Sequence, residues 1–217
     1  MNKSFDQSCQ RCPRLAAFLD SVKLEHPTYT CKPVPPFGAL DARLLIVGLA
    51  PGKHGANRSG RPFTGDHAGI LLYATLFKLG LSTGAVSQAV DDGLQLLDAR
   101  ITNAVKCLPP DNKPLPVEIA TCNDFLGTEL AQSRDVRAIL ALGAIAHQAV
   151  LRARGVPAKL HRFAHGAEHL LDDGVVLIDS YHCSRYNTQT RRLTTSMFEA
   201  VVERARDLAV AAPRRLG

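Results

Sequence analysis

Four of the six cysteines in this 217-residue chain fall into two pairs: Cys9 and Cys12 with two residues between them, and Cys107 and Cys122 with fourteen. In a reducing compartment, thiolates arranged this way ligate metal more often than they form disulfides, and the quartet suits either one zinc ion or an iron–sulfur cluster. Cys31 and Cys183 stand outside it and are expected to be free thiols. A second concentration of chemistry lies in the stretch from Gly48 to Gly69, which holds six glycines with Pro51 and Pro62, too many breakers for a regular element. It opens with GLAPGKH at 48–54. That is one residue too short for a phosphate-binding P-loop, and His54 stands where the P-loop needs Ser or Thr on magnesium. No GxGxxG follows the preceding apolar run, so dinucleotide binding is weaker still. Further along, Asn103 and the segment HCSRYN at 182–187 supply an amide and an imidazole where strands are expected to end.

Positioning these groups requires a scaffold of alternating strands and helices. Apolar spacing predicts helices over 13–24, 70–79, 117–131 and 144–153, and one amphipathic, Arg-rich closing helix over 190–210. Continuous apolar runs predict strands over 44–47, 99–105, 138–142 and 175–178. Strands alternating with helices imply a three-layer α/β/α arrangement around a central, mostly parallel four-stranded sheet, built as a single domain over residues 1–217. In open α/β sheets ligands collect beyond the carboxyl ends of the strands. The loops 48–66, 103–107 and 182–187 all belong there, so they are expected to share one crevice.

Bulk properties narrow the class. Forty-six per cent hydrophobic content allows a sizeable core, and a formal charge of +6 favours a polyanionic partner. No stretch reaches the roughly 20 apolar residues that cross a bilayer. The first fourteen residues are too polar for a secretory signal, so a cytoplasmic protein with no membrane partner is expected. His54, His147, His161, His165 and His169 are read as surface or hydrogen-bonded residues.

Taken whole, GLAPG at 48–52, NRSGRPFTGD at 57–66, HCSRYN at 182–187 and RRLT at 191–194 resemble family 5 of the uracil-DNA glycosylases. The resemblance runs from Cys9 to about Thr194. Leu49 and Ala50 are both apolar where other glycosylase families carry a carboxylate or amide, which favours family 5 over family 4. The resemblance implies removal of uracil, with hypoxanthine and xanthine as further bases, from DNA by base flipping. It implies a monofunctional, monomeric, nucleoid-associated repair enzyme that leaves an abasic site. It also makes the quartet Cys9, Cys12, Cys107 and Cys122 ligands of a structural [4Fe–4S] cluster in preference to zinc.

The same resemblance assigns the site. Asp66, His182 and Asn103 are the catalytic candidates: Asp66 to orient water or steady an oxocarbenium ion, His182 to donate to uracil O2, Asn103 to read the O4 and N3–H edge. Gly48, Ala50, Gly52, Asn57, Phe63 and Asn187 are the substrate-binding candidates, with Phe63 as the stacking face. Arg58, Arg61, Arg185, Arg191 and Arg192 are candidate phosphate contacts, and Tyr186 is the candidate wedge for the gap left by an extruded base. One departure stands out: Cys183 occupies the place of a family proline after His182, which is expected to loosen that loop. From a different class, a cluster- or metal-stabilised nucleic-acid-binding protein without glycosylase activity is the alternative reading.

Overall fold

The computed structural model describes residues 5–211. In chain order its elements are α1 (Pro13–Glu25), β1 (Leu44–Gly48), α2 (Ala56–Ser59), α3 (His67–Lys78), β2 (Ala99–Asn103), α4 (Pro116–Gln132), β3 (Ala138–Leu142), α5 (Ala144–Ala153), β4 (Glu168–Leu170), β5 (Val176–Ser180), α6 (Arg185–Gln189) and α7 (Thr195–Ala211). Among the described residues no helix is long and apolar enough to cross a membrane.

Strand β1 shows how the layers arise. Leu44 and Ile46 enter one apolar cluster while Leu45 and Val47 enter another, so the strand is buried on both faces and needs helices on both. Leu72, Leu76, Phe198 and Val202 of α3 and α7 fill the first cluster; Leu126, Leu130, Ala146 and Val150 of α4 and α5 fill the second. A third gathers Leu15, Leu19 and Val22 of α1 around Val105, Leu108 and Phe125.

The sheet has five strands in the order β2-β1-β3-β5-β4. Four run parallel, and β4 pairs antiparallel with β5 at one edge. The predicted four-stranded sheet therefore gains an edge strand of three residues, Glu168 and Leu170 exposed and His169 between them, too short and polar to leave an apolar signature. The chain order changes direction between β1 and β3, which sets the expected ligand crevice beyond Gly48.

Two other boundaries differ from expectation. Strand β2 stops at Asn103, and the amides of Ala104 and Val105 instead bond to the carbonyls of Gly48 and Leu49 at 2.9 and 3.0 Å, tying the two loops together. The closing helix begins at Thr195 rather than at 190, because Arg191 takes a left-handed φ of 58° and buried Leu193 donates its amide to Asn187 at 3.0 Å, and the short α6 precedes it unpredicted.

Two buried charge clusters bolt the layers. Glu129 of α4 accepts from Arg100 and Thr102, each at 2.8 Å, and lies 3.3 Å from Lys106. Burial works to raise its carboxyl pKa, but Lys106 and Arg100 outweigh that and hold it below the ordinary range. Across the sheet, Asp179 of β5 is fully buried, 2.8 Å from His147 Nδ1 on α5 and 3.0 Å from His169 Nε2 on β4. His147 Nε2 lies 3.0 Å from the His161 carbonyl, which only accepts. Both ring nitrogens of His147 thus face oxygens, so the ring is an imidazolium. The three side chains come within 4.8 Å of one another, close enough to grip a metal, but the ion pair already completes them.

Burial alone would lower the His147 pKa; its bonds to Asp179 prevail and raise it. A raised histidine stabilises the fold fully below its unfolded value of about 6.5, and that contribution is lost as pH rises through the folded value. The thermal midpoint is expected to fall as pH rises above 7, and this slope to flatten in His147→Gln, as measured by circular dichroism melts.

Candidate active site

A cleft of about 480 Å³ opens beyond the carboxyl ends of β1, β2 and β5, and its walls include Ala50, Gly52, Phe63, Asp66, Asn103, His182 and Arg185. The three catalytic candidates and the aromatic one, far apart in sequence, therefore meet at one cavity.

The floor is set by close approach at Gly48. A Cβ there would collide with both Asn103 Oδ1 and the Phe63 ring, so glycine at this position lets the amide and the aromatic face pack over the strand end. Asn103 ends β2 and is almost fully buried, and its Oδ1 has no hydrogen-bond partner among the described residues. A buried acceptor left without a partner costs about 1–3 kcal/mol. Phe63 holds a left-handed φ of 55°, a strained choice for an aromatic residue, costing about 1–3 kcal/mol. The surroundings impose it. Tyr73 donates its hydroxyl to the Pro62 carbonyl at 2.8 Å, and Thr64 and Ser87 share a hydroxyl bond of 2.7 Å. The ring is held near-parallel to His182, with centroids 5.9 Å apart and planes 27° from one another.

Asp66 does two jobs at once. Oδ1 accepts from the Gly69 amide at 2.9 Å and caps α3, as an aspartate at a helix start commonly does. The carboxyl also lies against Gly55, where a Cβ would overlap it, and against Gly52, where a Cβ would stand 3.1 Å from Oδ2. One oxygen thus builds the helix while the other remains at the cleft wall.

His182 follows β5. Enclosure by the cleft walls lowers its imidazole pKa, and Asp66 offsets this in part, so the ring is neutral at pH 7. Its carbonyl accepts from Asn187 Nδ2 at 2.8 Å. Cys183, fully buried in the first apolar cluster with its thiol pushed far up by burial, packs where the family proline is absent. Core packing on one side and the Asn187 bond on the other hold the loop.

Several further expectations need correction. Arg61 is no phosphate contact: it is buried, stacked 4.5 Å from the Phe37 ring centre, and bound to Asp92 at 2.7 Å and to Ser87 at 3.0 Å. Asn57 is fully buried behind the cleft, its Nδ2 3.4 Å from Cys31 Sγ, and does not line it. Asn187 also stays off the lining and acts on the His182 backbone. Arg58, Arg185, Arg191 and Arg192 are exposed, Arg192 lying 4.6 Å over Tyr181, and Tyr186 is 71% exposed on α6. Lining residues that the sequence reading did not single out include His67, Asn112, Ser184 and Lys53. Position next to Asp66 could have flagged His67, and Ser184 is itself part of the HCSRYN segment; nothing local marks Asn112.

The four quartet cysteines line one separate small cavity with Leu15 and Val105. Cys12 caps α1 ahead of Pro13, Cys122 sits in α4, and the Lys106 amide reaches Cys122 Sγ at 3.3 Å. Burial, followed by crowding from Cys122, Cys9 and Cys12, pushes the Cys107 thiol up to about 12. Four sulfurs sharing one desolvated space fit a bound cation or cluster, which would stabilise them as thiolates. Ala50 belongs to both regions, lining the cleft and packing on this third cluster.

Comparison with known proteins agrees with this geometry. The model of the uracil DNA glycosylase superfamily matches residues 35–206. A type-5 uracil-DNA glycosylase of Thermus thermophilus is 45% identical over 207 residues, covering 93% of this chain and 94% of that protein. One from Mycobacterium leprae is 45% identical over 210 residues, covering 93% and 91%. A type-4 uracil-DNA glycosylase of Thermotoga maritima is 39% identical over 112 residues, covering 50% of this chain and 49% of that protein.

The burial of Arg61 has a measurable consequence. Arg61→Ala should cost about 3 kcal/mol in urea unfolding, because it removes the buried cation beside Asp92 and leaves that carboxylate with backbone amides alone. Arg58→Ala, at an exposed position, should change stability by under about 0.5 kcal/mol in the same measurement.

Proposed function

The chain belongs to the uracil DNA glycosylase superfamily, and from that premise we propose that it hydrolyses the bond between uracil and deoxyribose in DNA, leaving an abasic site for repair. The observation that carries this reading is the partnerless Asn103 Oδ1 inside a cleft walled by Phe63, Asp66 and His182.

Reaching the glycosidic bond requires turning the nucleotide out of the duplex, which costs a few kcal/mol. Stacking on Phe63, worth about 1–3 kcal/mol by comparison with other base–aromatic contacts, offsets part of that. The Asn103 amide is matched to uracil: Oδ1 accepts from N3–H and Nδ2 donates to O4. As the bond breaks, negative charge gathers on the base and positive charge on the sugar. Neutral His182 donates to uracil O2 on the first side; Asp66, through the oxygen not committed to the helix cap, orients water and steadies the oxocarbenium ion on the second. Water adds at C1′, the bonding pair leaves with the base, and the water proton passes to solvent by way of Asp66. Lys53 lies at the cleft wall, but its Nζ is 2.8 Å from Glu25, and an ion-paired ammonium is no nucleophile. That favours a monofunctional enzyme.

Tyr186, exposed on α6 beside the cleft, suits the wedge, and Arg58, Arg185, Arg191 and Arg192 suit phosphates. The roominess of the cleft supports hypoxanthine and xanthine as further substrates. We read the protein as a one-domain monomer working in the cytoplasm on chromosomal DNA.

Cys9, Cys12, Cys107 and Cys122 would hold a [4Fe–4S] cluster, whose chemistry here is structural. The enclosure of the four thiols in one cavity supports such a centre.

Uracil-containing duplex, treated with protein and then alkali, should yield strand breaks at uracil; binding without breaks would instead support a nucleic-acid-binding protein. Asp66→Asn should slow excision roughly 10²-fold or more with DNA affinity nearly unchanged. His182→Ala should cost about 10²–10³-fold through loss of the donor to the departing base. The purified protein should show a visible charge-transfer band that bleaches on reduction, and Cys107→Ser should lose it along with iron.

A further inference from the structure

His67, the first residue of α3, places Nε2 3.0 Å from Thr188 Oγ1 on α6. The Thr188 hydroxyl also faces the carbonyls of Ser184 at 3.2 Å and Arg185 at 3.0 Å, and a carbonyl only accepts. With the hydroxyl proton on either carbonyl, Oγ1 accepts from His67 Nε2–H; the two side chains are bonded in either tautomer. This single bond joins two parts of the site that otherwise arrive from opposite ends of the chain. On one side is the start of α3, where Asp66 caps the helix at the cleft wall. On the other is the five-residue α6, which carries exposed Tyr186 and the cleft-lining Arg185.

We propose that His67 and Thr188 form a latch that fixes the distance between the DNA-probing helix and the catalytic aspartate, making both of them positioning residues for the reaction. The proposal rests on the glycosylase reading above. A helix of five residues has little rigidity of its own. Ser184 caps it, Asn187 ties it to the His182 carbonyl, and the His67 bond anchors its far turn to α3. Inserting a side chain into duplex DNA pushes back on α6. With the latch closed, that load is borne by α3, and the extruded sugar arrives at a set distance from Asp66. On single-stranded DNA no stack has to be opened, so the latch matters less there.

The test compares uracil excision from duplex and from single-stranded DNA, and 2-aminopurine fluorescence beside the uracil as a direct signal of base extrusion. Thr188→Val should slow excision from duplex about fivefold to tenfold, the worth of one hydrogen bond, and weaken the extrusion signal, with a clearly smaller effect on single strands. Thr188→Ser, which keeps the hydroxyl, should restore both, and so should His67→Gln, whose amide can still donate. The His67→Ala, Thr188→Val double variant should be no slower on duplex than His67→Ala alone. Equal slowing on both substrates, additive losses, or an unchanged duplex rate in Thr188→Val would overturn the latch. Absence of excision by the unaltered protein would instead overturn the glycosylase reading, and the extrusion signal would still judge the latch.

Discussion

The site depends on how closely one carboxylate is packed. Asp66 caps α3 through Oδ1 and presses against Gly52 and Gly55, so its position is fixed by a helix start below and by bare backbone above. This explains why the 48–66 segment is so rich in glycine without binding phosphate: the missing side chains make room for groups of the protein itself. The same logic recurs at Gly48, where the space is used by Asn103 and Phe63. Preorganisation here comes from exclusion, since each polar group is held by the absence of an alternative place to go. The strained backbone at Phe63 fits that view, being imposed by Tyr73, Thr64 and Ser87 rather than by any preference of its own.

Much of this was legible in the sequence. Buried parallel strands declare themselves as unbroken apolar runs, and 138–142 was read to the residue, as was the helix over 144–153. The convergence of Asp66, Asn103 and His182 followed from strand ends sharing one side of the sheet. What escaped was whatever depends on long-range partners. Arg61 looks like any motif arginine until Asp92, in a distant loop, is folded onto it. Asn57 and Asn187 carry the right chemistry but point it at Cys31 and at the His182 backbone. The later start of α7 was hidden because the apolar spacing reaches back past Arg191 while the helical backbone does not. The edge strand β4 was missed because three mostly exposed residues have no period to read.

The charged clusters divide labour with the apolar ones. Hydrophobic burial is non-directional and sets which layers meet. The Glu129 cluster and the Asp179 cluster each join elements from different parts of the chain, and a misplaced strand would leave a charge buried alone, a cost of several kcal/mol. They therefore penalise wrong registers more than they reward the right one.

Ala50 lines the cleft and also packs on the apolar cluster around α1 that contains Cys107 and Cys122. A change in the packing of that cluster therefore reaches the cleft wall through this residue, and the shape of the cleft is coupled to a part of the core that lines none of it.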